Sequence, residues 1–315
     1  MKPIVSISNF KTGQIIQGFF LVLEKHLRHT RAGDLYIDLV LRDQTGQITA
    51  KIWDKVTEFD KKFQQGDPVA AKGEVESFLE RPQLVIKRIN KATVQNYARY
   101  GFDPGLIVPM AKQYPKDMWK EITRIIRSLK NRHLKALLLS IYSANKEKLL
   151  IHPASVSGHH NYRSGLLEHI LAMAKIALQI APHYEVDQDI LIGGVLLHDL
   201  GKLRGIKSGY EAAITEEGNF NGNIVLGRDM FLKAARRIKG FPKPLVSSLE
   251  HIILSQNDHS GESLRKPAFK EALLVQMIND MDSKMNLMEQ AMKNDPEIGD
   301  WTGWHNYFKI PLFKG

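Results

Sequence analysis

The stretch Gly194-Val195-Leu196-Leu197-His198-Asp199-Leu200-Gly201-Lys202 decides how this 315-residue chain is read. An apolar segment, expected to be a helix over Gln188–Leu197, ends in an imidazole beside a carboxylate. A glycine turn and a lysine follow. Adjacent His and Asp at a helix terminus can both reach one ion, because the end of the helix frees the backbone to turn. Imidazole and carboxylate together suit a borderline divalent metal. Lys202, three residues past Asp199, can neutralise a bound phosphate. A His-Asp pair alone is weak evidence; His-Asp-x-Gly-Lys after an apolar helix is considerably stronger.

Two distant residues read as partners of that pair. His169 falls in an expected helix over Gly165–Ala181, where Ala172, Met173 and Ile176 at i+3, i+4 and i+7 place it on the buried face. Asp280 follows Leu273 and Met277 at spacings of seven and three in an expected helix over Lys270–Lys293, and is expected to point inward as well. A buried carboxylate is costly unless paired or coordinated. The expected metal ligands are therefore His169, His198, Asp199 and Asp280, while Asp282 and Lys284 are expected to form local surface pairs. With no cysteine in the chain, thiolate sites and disulfides are excluded.

Around this centre the pattern is helical from Lys116 onward. Ile122, Ile125, Ile126 and Leu129, then Leu134, Leu137, Leu138 and Ile141, space their apolar side chains by three and four. Further helices are expected over Asn223–Lys239 and Lys243–Ser255. The front of the chain differs. Gly13–Glu24, Asp34–Arg42 and Gln47–Trp53 alternate with period two, Asp43-Gln44-Thr45-Gly46 signals a hairpin, and a short helix over Lys55–Gln64 precedes two more strands, Val69–Phe78 and Gln83–Thr93. Five short strands with a helix between the third and fourth is the order of an OB-fold barrel. The expected architecture is multi-domain: an all-β OB-fold barrel over 1–94, a Gly- and Pro-marked linker over 95–116, an all-α metal-binding domain over 117–300, and an aromatic tail over 301–315.

The net charge of +10 is uneven. Residues 1–93 carry 15 basic against 11 acidic side chains, 94–150 carry 11 against 4, and 151–315 carry 18 against 19. A basic front and middle suit an anionic polymer, with a solvated basic face as the bland alternative. No signal-peptide core and no apolar run of membrane-spanning length is read in the chain, so a cytoplasmic protein with no membrane partner is expected.

With these residues in view, the chain resembles a known family. His169, His198-Asp199 and Asp280 match the order His…His-Asp…Asp of the HD phosphohydrolase superfamily. The run from His159-His160-Asn161-Tyr162-Arg163-Ser164-Gly165 to His169 is similar to the YhaM-type 3′→5′ exoribonucleases, as are His251-Ile252-Ile253-Leu254-Ser255 and the run Asn279 to Asn286. The resemblance implies an OB domain before an HD domain and removal of mononucleotides from 3′ ends of RNA or single-stranded DNA. It also implies a divalent cation, Mn first, with Fe, Co, Zn or Mg as alternatives. It further implies histidines at the positions of Asn223 and Gln256, which with His251 would hold a second metal or contact substrate. Here two of those three are amides, with His259 a conceivable substitute from the nearby loop.

The implied roles are Lys202, Asp199 and His160 in catalysis, and Arg163 or His159 near the terminal phosphate. Single strands would lie on the barrel through Tyr36, Trp53 and Phe78, with Arg28, Arg31 and Arg81 tracking phosphates; Phe19, Lys25 and His29 are further candidates. Alternation sends every second barrel side chain inward, and the sequence leaves open which aromatics those are. Two other readings stand beside the exonuclease: a strand-binding protein with a degenerate HD domain, and an HD phosphohydrolase of free or cyclic nucleotides. A homo-oligomer is compatible with each.

Overall fold

A computed structural model describes residues 4–256 and 263–315. The chain divides into two compact units, Met1–Met110 with Gly209–Glu211, and Ala111–Ser208 with Ala212–Gly315.

The first unit is a closed five-stranded barrel. Its strands are β1 (Ile15–His29), β2 (Leu35–Arg42), β3 (Gln47–Ile52), β4 (Pro68–Phe78) and β5 (Arg81–Lys91), with α1 (Val56–Asp60) between β3 and β4. The order around the barrel is β1-β2-β3-β5-β4, antiparallel except where β3 meets β5. This is the OB arrangement expected from the spacing of strands and helix. Alternation fills the interior with Ile16, Phe20, Val22, Ile37, Leu39 and their neighbours. Phe19 and Leu21 face the other way and are buried too.

What covers them corrects the expected linker. Residues 95–110 belong to the barrel unit: α2 (Val94–Tyr97) and two single turns carry Phe102, Ile107 and Val108 onto Phe19 and Leu21. Gly101, Pro104 and Gly105 do break regular structure there, but turn residues report only backbone bends, and the apolar side chains between them still seek burial.

The second unit is helical: α3 (Pro115–Ser128), α4 (Arg132–Ala144), α5 (Lys146–Leu149), α6 (Gly165–Ile180), α7 (Gln188–Leu197), α8 (Lys202–Gly205), α9 (Glu216–Ala235), α10 (Lys243–Leu254) and α11 (Lys270–Asn294). A two-residue pairing of β6 (Ile206–Lys207) with β7 (Ala213–Ile214) sits between α8 and α9. Helix α7 is the central rod, capped by Asp187 and buried on all sides from Leu191 to Leu197, with α4, α6, α10 and α11 packed around it. The expected helix start at Asn223 coincides with a kink in α9 at Gly222, whose φ of 70° breaks the helix just before. Helix α6 with its following turn, Gly165–His183, does reach membrane-spanning length and hydropathy, which the sequence reading did not credit. Over half of it is buried in the unit's core, and a helix enclosed by protein is apolar on every face.

The tail after α11 closes on itself. Trp301 bridges Phe313, Thr302 N–H donates to Leu312 O, and Lys314 pairs with Asp295 at 2.9 Å. Trp301, Trp304, Tyr307 and Phe313 remain more than half exposed.

Candidate metal centre and strand-binding face

Helices α6 and α7 lie against each other and bring His169 to the end of α7, where His198 and Asp199 leave the helix. The two imidazole rings are 5.4 Å apart, and both side chains are fully buried. His198 Nδ1 lies 2.8 Å from Val195 O; a carbonyl only accepts, so that nitrogen carries the proton and Nε2 keeps its lone pair. His169 Nδ1 lies 2.6 Å from Asp282 Oδ2, which likewise places the proton on Nδ1. The two Nε2 atoms are the buried side-chain polar atoms without a hydrogen-bond partner among the described residues.

Both lone pairs converge on Asp199. Its Oδ2 stands 3.6 Å from His169 Nε2 and 3.4 Å from His198 Nε2. Ligand atoms each about 2.1 Å from a tetrahedral ion are separated by about 3.4 Å. Burial opposes ionisation of Asp199, but the Lys202 ammonium beside it holds its carboxyl well below the ordinary range. Burial in turn pushes His169 down, against the pull of Asp282. Neutral imidazoles with inward lone pairs around an ionised carboxylate fit a divalent cation, and two orphaned buried nitrogens are otherwise unfavourable.

The structure corrects the fourth expected ligand. Asp280 is exposed and pairs with Lys284 at 2.7 Å, on a face of α11 where Leu273, Met277, Met281 and Met285 are also exposed. The inward face runs through Ala272, Val275 and Ile278 to Asp282. Apolar character at 273 and 277 misled the reading; the 275–278–282 spacing carries the true face. Asp282 takes the place behind His169 that a metal-site carboxylate commonly occupies.

Lys202 is buried and binds Asp199 Oδ2 at 2.5 Å, so its charge is directed at the carboxylate in this state. His160 sits 5.2 Å from His169 and 3.6 Å from Asp282. Its loop is tied down: Ala154 N–H donates to His160 O, and His160 N–H donates to Asn286 Oδ1 at 2.6 Å. Asn286 also reaches Tyr162, whose hydroxyl donates to Glu168. Arg163, on the same loop, is half-buried. Asn286, Tyr162 and Glu168 lie in the runs that carry the resemblance, but nothing in spacing links a loop to a helix more than a hundred residues later, so their contact is visible only in the fold.

At the second expected cluster, protein groups engage the side chains. His251 Nε2 accepts from Ala268 N–H at 3.0 Å, Gln256 donates to Ile252 O while buried, and Asn223 packs its amide against Gly205. His259 lies outside the described residues.

On the barrel, Tyr36 and Trp53 stack at 4.7 Å, with Lys51 over the tyrosine ring and Trp53 44% exposed. Asp38 links Lys51 and Arg28 beside them. Phe78 and Arg81 pair at the exposed β4–β5 hairpin, and Arg31 lies exposed in the β1–β2 turn. Phe19 is buried and Lys25 is bound to the carbonyls of Asp60 and Phe63, so neither is part of that surface.

Residues 166–287 match the HD domain family, and residues 22–92 match the OB-fold nucleic acid binding domain family. The helical unit carries an HD domain. Across both domains the chain is similar to the 3′-5′ exoribonuclease YhaM of Halalkalibacterium halodurans, with 29% identity covering 90% of this chain and 88% of that one. The resemblance to the YhaM type therefore extends along nearly the whole length. Among solved structures, the second OB-fold domain of replication protein A from Methanococcus maripaludis is 18% identical, covering 28% of this chain and 94% of that one at a TM-score of 0.24. The OB domain of a Thermoplasma acidophilum protein is 16% identical, covering 29% and 88%, at 0.25.

Proposed function

We propose that this HD/OB protein is a divalent-metal-dependent 3′→5′ exonuclease of single-stranded RNA, with single-stranded DNA as a second substrate. The observation that carries it is the convergence of two orphaned Nε2 lone pairs, from His169 and His198, on the ionised carboxylate of Asp199. The YhaM relative supports the reading over the length of the chain. Manganese suits this nitrogen-and-oxygen donor set.

A bound cation supplies Lewis acidity at a phosphoryl oxygen and lowers the pKa of water at neutral pH. The protein's own groups prepare that chemistry. Val195 O and Asp282 hold His198 and His169 in the tautomers that leave Nε2 free. Lys202 keeps Asp199 ionised and oriented. Arg163, half-buried on the loop beside the centre, is our candidate for meeting a terminal phosphate, while His160 is buried behind it against Asp282. The Tyr36–Trp53 stack gives bases a platform, with Lys51 and Arg28 for phosphates.

A second reading, a strand-binding protein without turnover, draws on Asn223 and Gln256, amides where the resemblance implies histidines. End-labelled RNA and single-stranded DNA incubated with each divalent metal, beside a His198→Ala control, separate the two. Stepwise shortening from the 3′ end that the substitution abolishes supports the exonuclease. Binding without products in both proteins defeats it.

A further inference from the structure

The His159–His160 pair is more deeply built into the centre than a phosphate-binding loop requires. His159 Nδ1 lies 3.3 Å from His160 Nδ1, so one proton must sit between two nitrogens. Which histidine supplies it follows from the far side of His160, whose Nε2 is 3.6 Å from Asp282 Oδ2. Were the His160 proton on Nδ1, the Nε2 lone pair would face a carboxylate oxygen. Electrostatics therefore puts that proton on Nε2, leaving Nδ1 as the acceptor. His159 must then donate from Nδ1, and its own Nε2 keeps a lone pair.

The His159 ring is 4.8 Å from that of His169, and one nitrogen each of His159, His160 and His169 fall within 4.8 Å of one another, a group joined to the His169–His198–Asp199 group through His169. Lys202 and Asp199, which adjoin His169 at the centre, act on it electrostatically. The loop cannot easily carry it elsewhere. His160 holds a left-handed φ of 46°, and a Cβ on Gly165 would stand 2.1 Å from His160 O, so the turn is locked against the start of α6.

We propose that His159 is a further ligand of the divalent cation, joining His169, His198 and Asp199, and that the chain Asp282–His160–His159 sets its tautomer. One carboxylate thus orients two ligating imidazoles, His169 directly and His159 through His160. This rests on the metal-centre reading above and extends it: the cation is held by three imidazoles and one carboxylate, a set that compensates for amides at 223 and 256 without a second ion.

The test is Co2+ binding to the full chain after chelation, followed by calorimetry and by the visible absorption of the bound ion, whose energy and intensity report ligand number. His159→Ala is expected to weaken binding by roughly tenfold or more and to shift the band, and added imidazole to restore it in part. His160→Phe, which keeps ring bulk but removes the acceptor, is expected to act in the same direction with a smaller loss. Should His159→Ala not fold, as judged by circular dichroism, His159→Gln serves in its place. If the His159 variant binds Co2+ with wild-type affinity and an unchanged band while His198→Ala loses binding, His159 is not a ligand and the metal-dependent reading survives. If the wild type binds no Co2+, both fall.

Discussion

Asp282 Oδ2 lies 2.6 Å from Nδ1 of the fully buried His169, whereas Asp280, two residues earlier on the same helix, faces away and pairs with Lys284. Two residues along a helix turn a side chain by about 200°, so only one of the pair can serve the centre. Asp282→Ala is expected to lower metal affinity by about 10- to 100-fold, as loss of an outer carboxylate commonly does. Asp280→Ala is expected to leave it unchanged. Calorimetric titration of both variants with Mn2+ checks this, and the reverse ranking would restore Asp280 as a ligand.

Gly201 has no room for a side chain. A Cβ there would come within 1.8 Å of Asn223 O and 2.5 Å of Gly227 N, both backbone atoms of α9. Gly201→Ala must push α9 off the turn that carries Asp199 and Lys202. A loss on the order of 3 kcal/mol is expected from such overpacking. Urea denaturation measures it, and a midpoint equal to wild type would contradict the close approach.

The buried histidines make stability pH-dependent. Burial pushes His160 down to about 3 and moves His152 and His159 in the same direction. All three are neutral in the fold but protonate near 6.5 in the unfolded chain, which then binds more protons. Their contribution is intact above that value and declines as pH falls below it, by up to about 1.4 kcal/mol per pH unit for each histidine. Thermal melts of chelated protein between pH 8 and 5 are expected to show a falling midpoint across this window. A flat profile would mean these side chains reach solvent.

On the barrel, Trp53→Ala removes the outer ring of the Tyr36–Trp53 stack. Stacking of one base contributes about 1–3 kcal/mol, so affinity for a single-stranded oligonucleotide is expected to fall roughly 5- to 150-fold at fixed salt. Fluorescence anisotropy provides the measurement. Unchanged binding would move the strand path off this face.

The tail depends on Asp295. Lys314 chiefly, against an opposing effect of burial and with help from the Gly303 and Glu297 amides, holds its carboxyl below the usual range. A depressed carboxyl stabilises at pH above about 4 and loses that contribution as acid protonates it. Asp295→Asn is expected to release the Trp301–Phe313 bridge at neutral pH, seen as faster amide exchange at Thr302 and Leu312. Wild-type protection in the variant would show that Leu312 burial alone closes the tail.

Much of this was legible in the residues. Period-two alternation and the helix after the third strand name the barrel, because strand pleating is a local property. His-Asp-x-Gly-Lys after an apolar run names the metal centre, because a helix end is local too. His169 was placed from its own neighbours at i+3, i+4 and i+7. Asp280 was misplaced by the same logic, since Leu273 and Met277 are apolar yet exposed. Apolar spacing shows that a helix has a stripe, but not whether anything covers it.

By itself, then, the order of residues determined two folds and three of the side chains at the centre, each through interactions within a turn or a strand's length. Packing of α11 against α6 decided the rest: that Asp282 and not Asp280 faces His169, and that Asn286 clamps the His159–His160 loop. Those choices depend on groups far apart in the chain meeting at hydrogen-bond distance, and no local spacing encodes such a meeting.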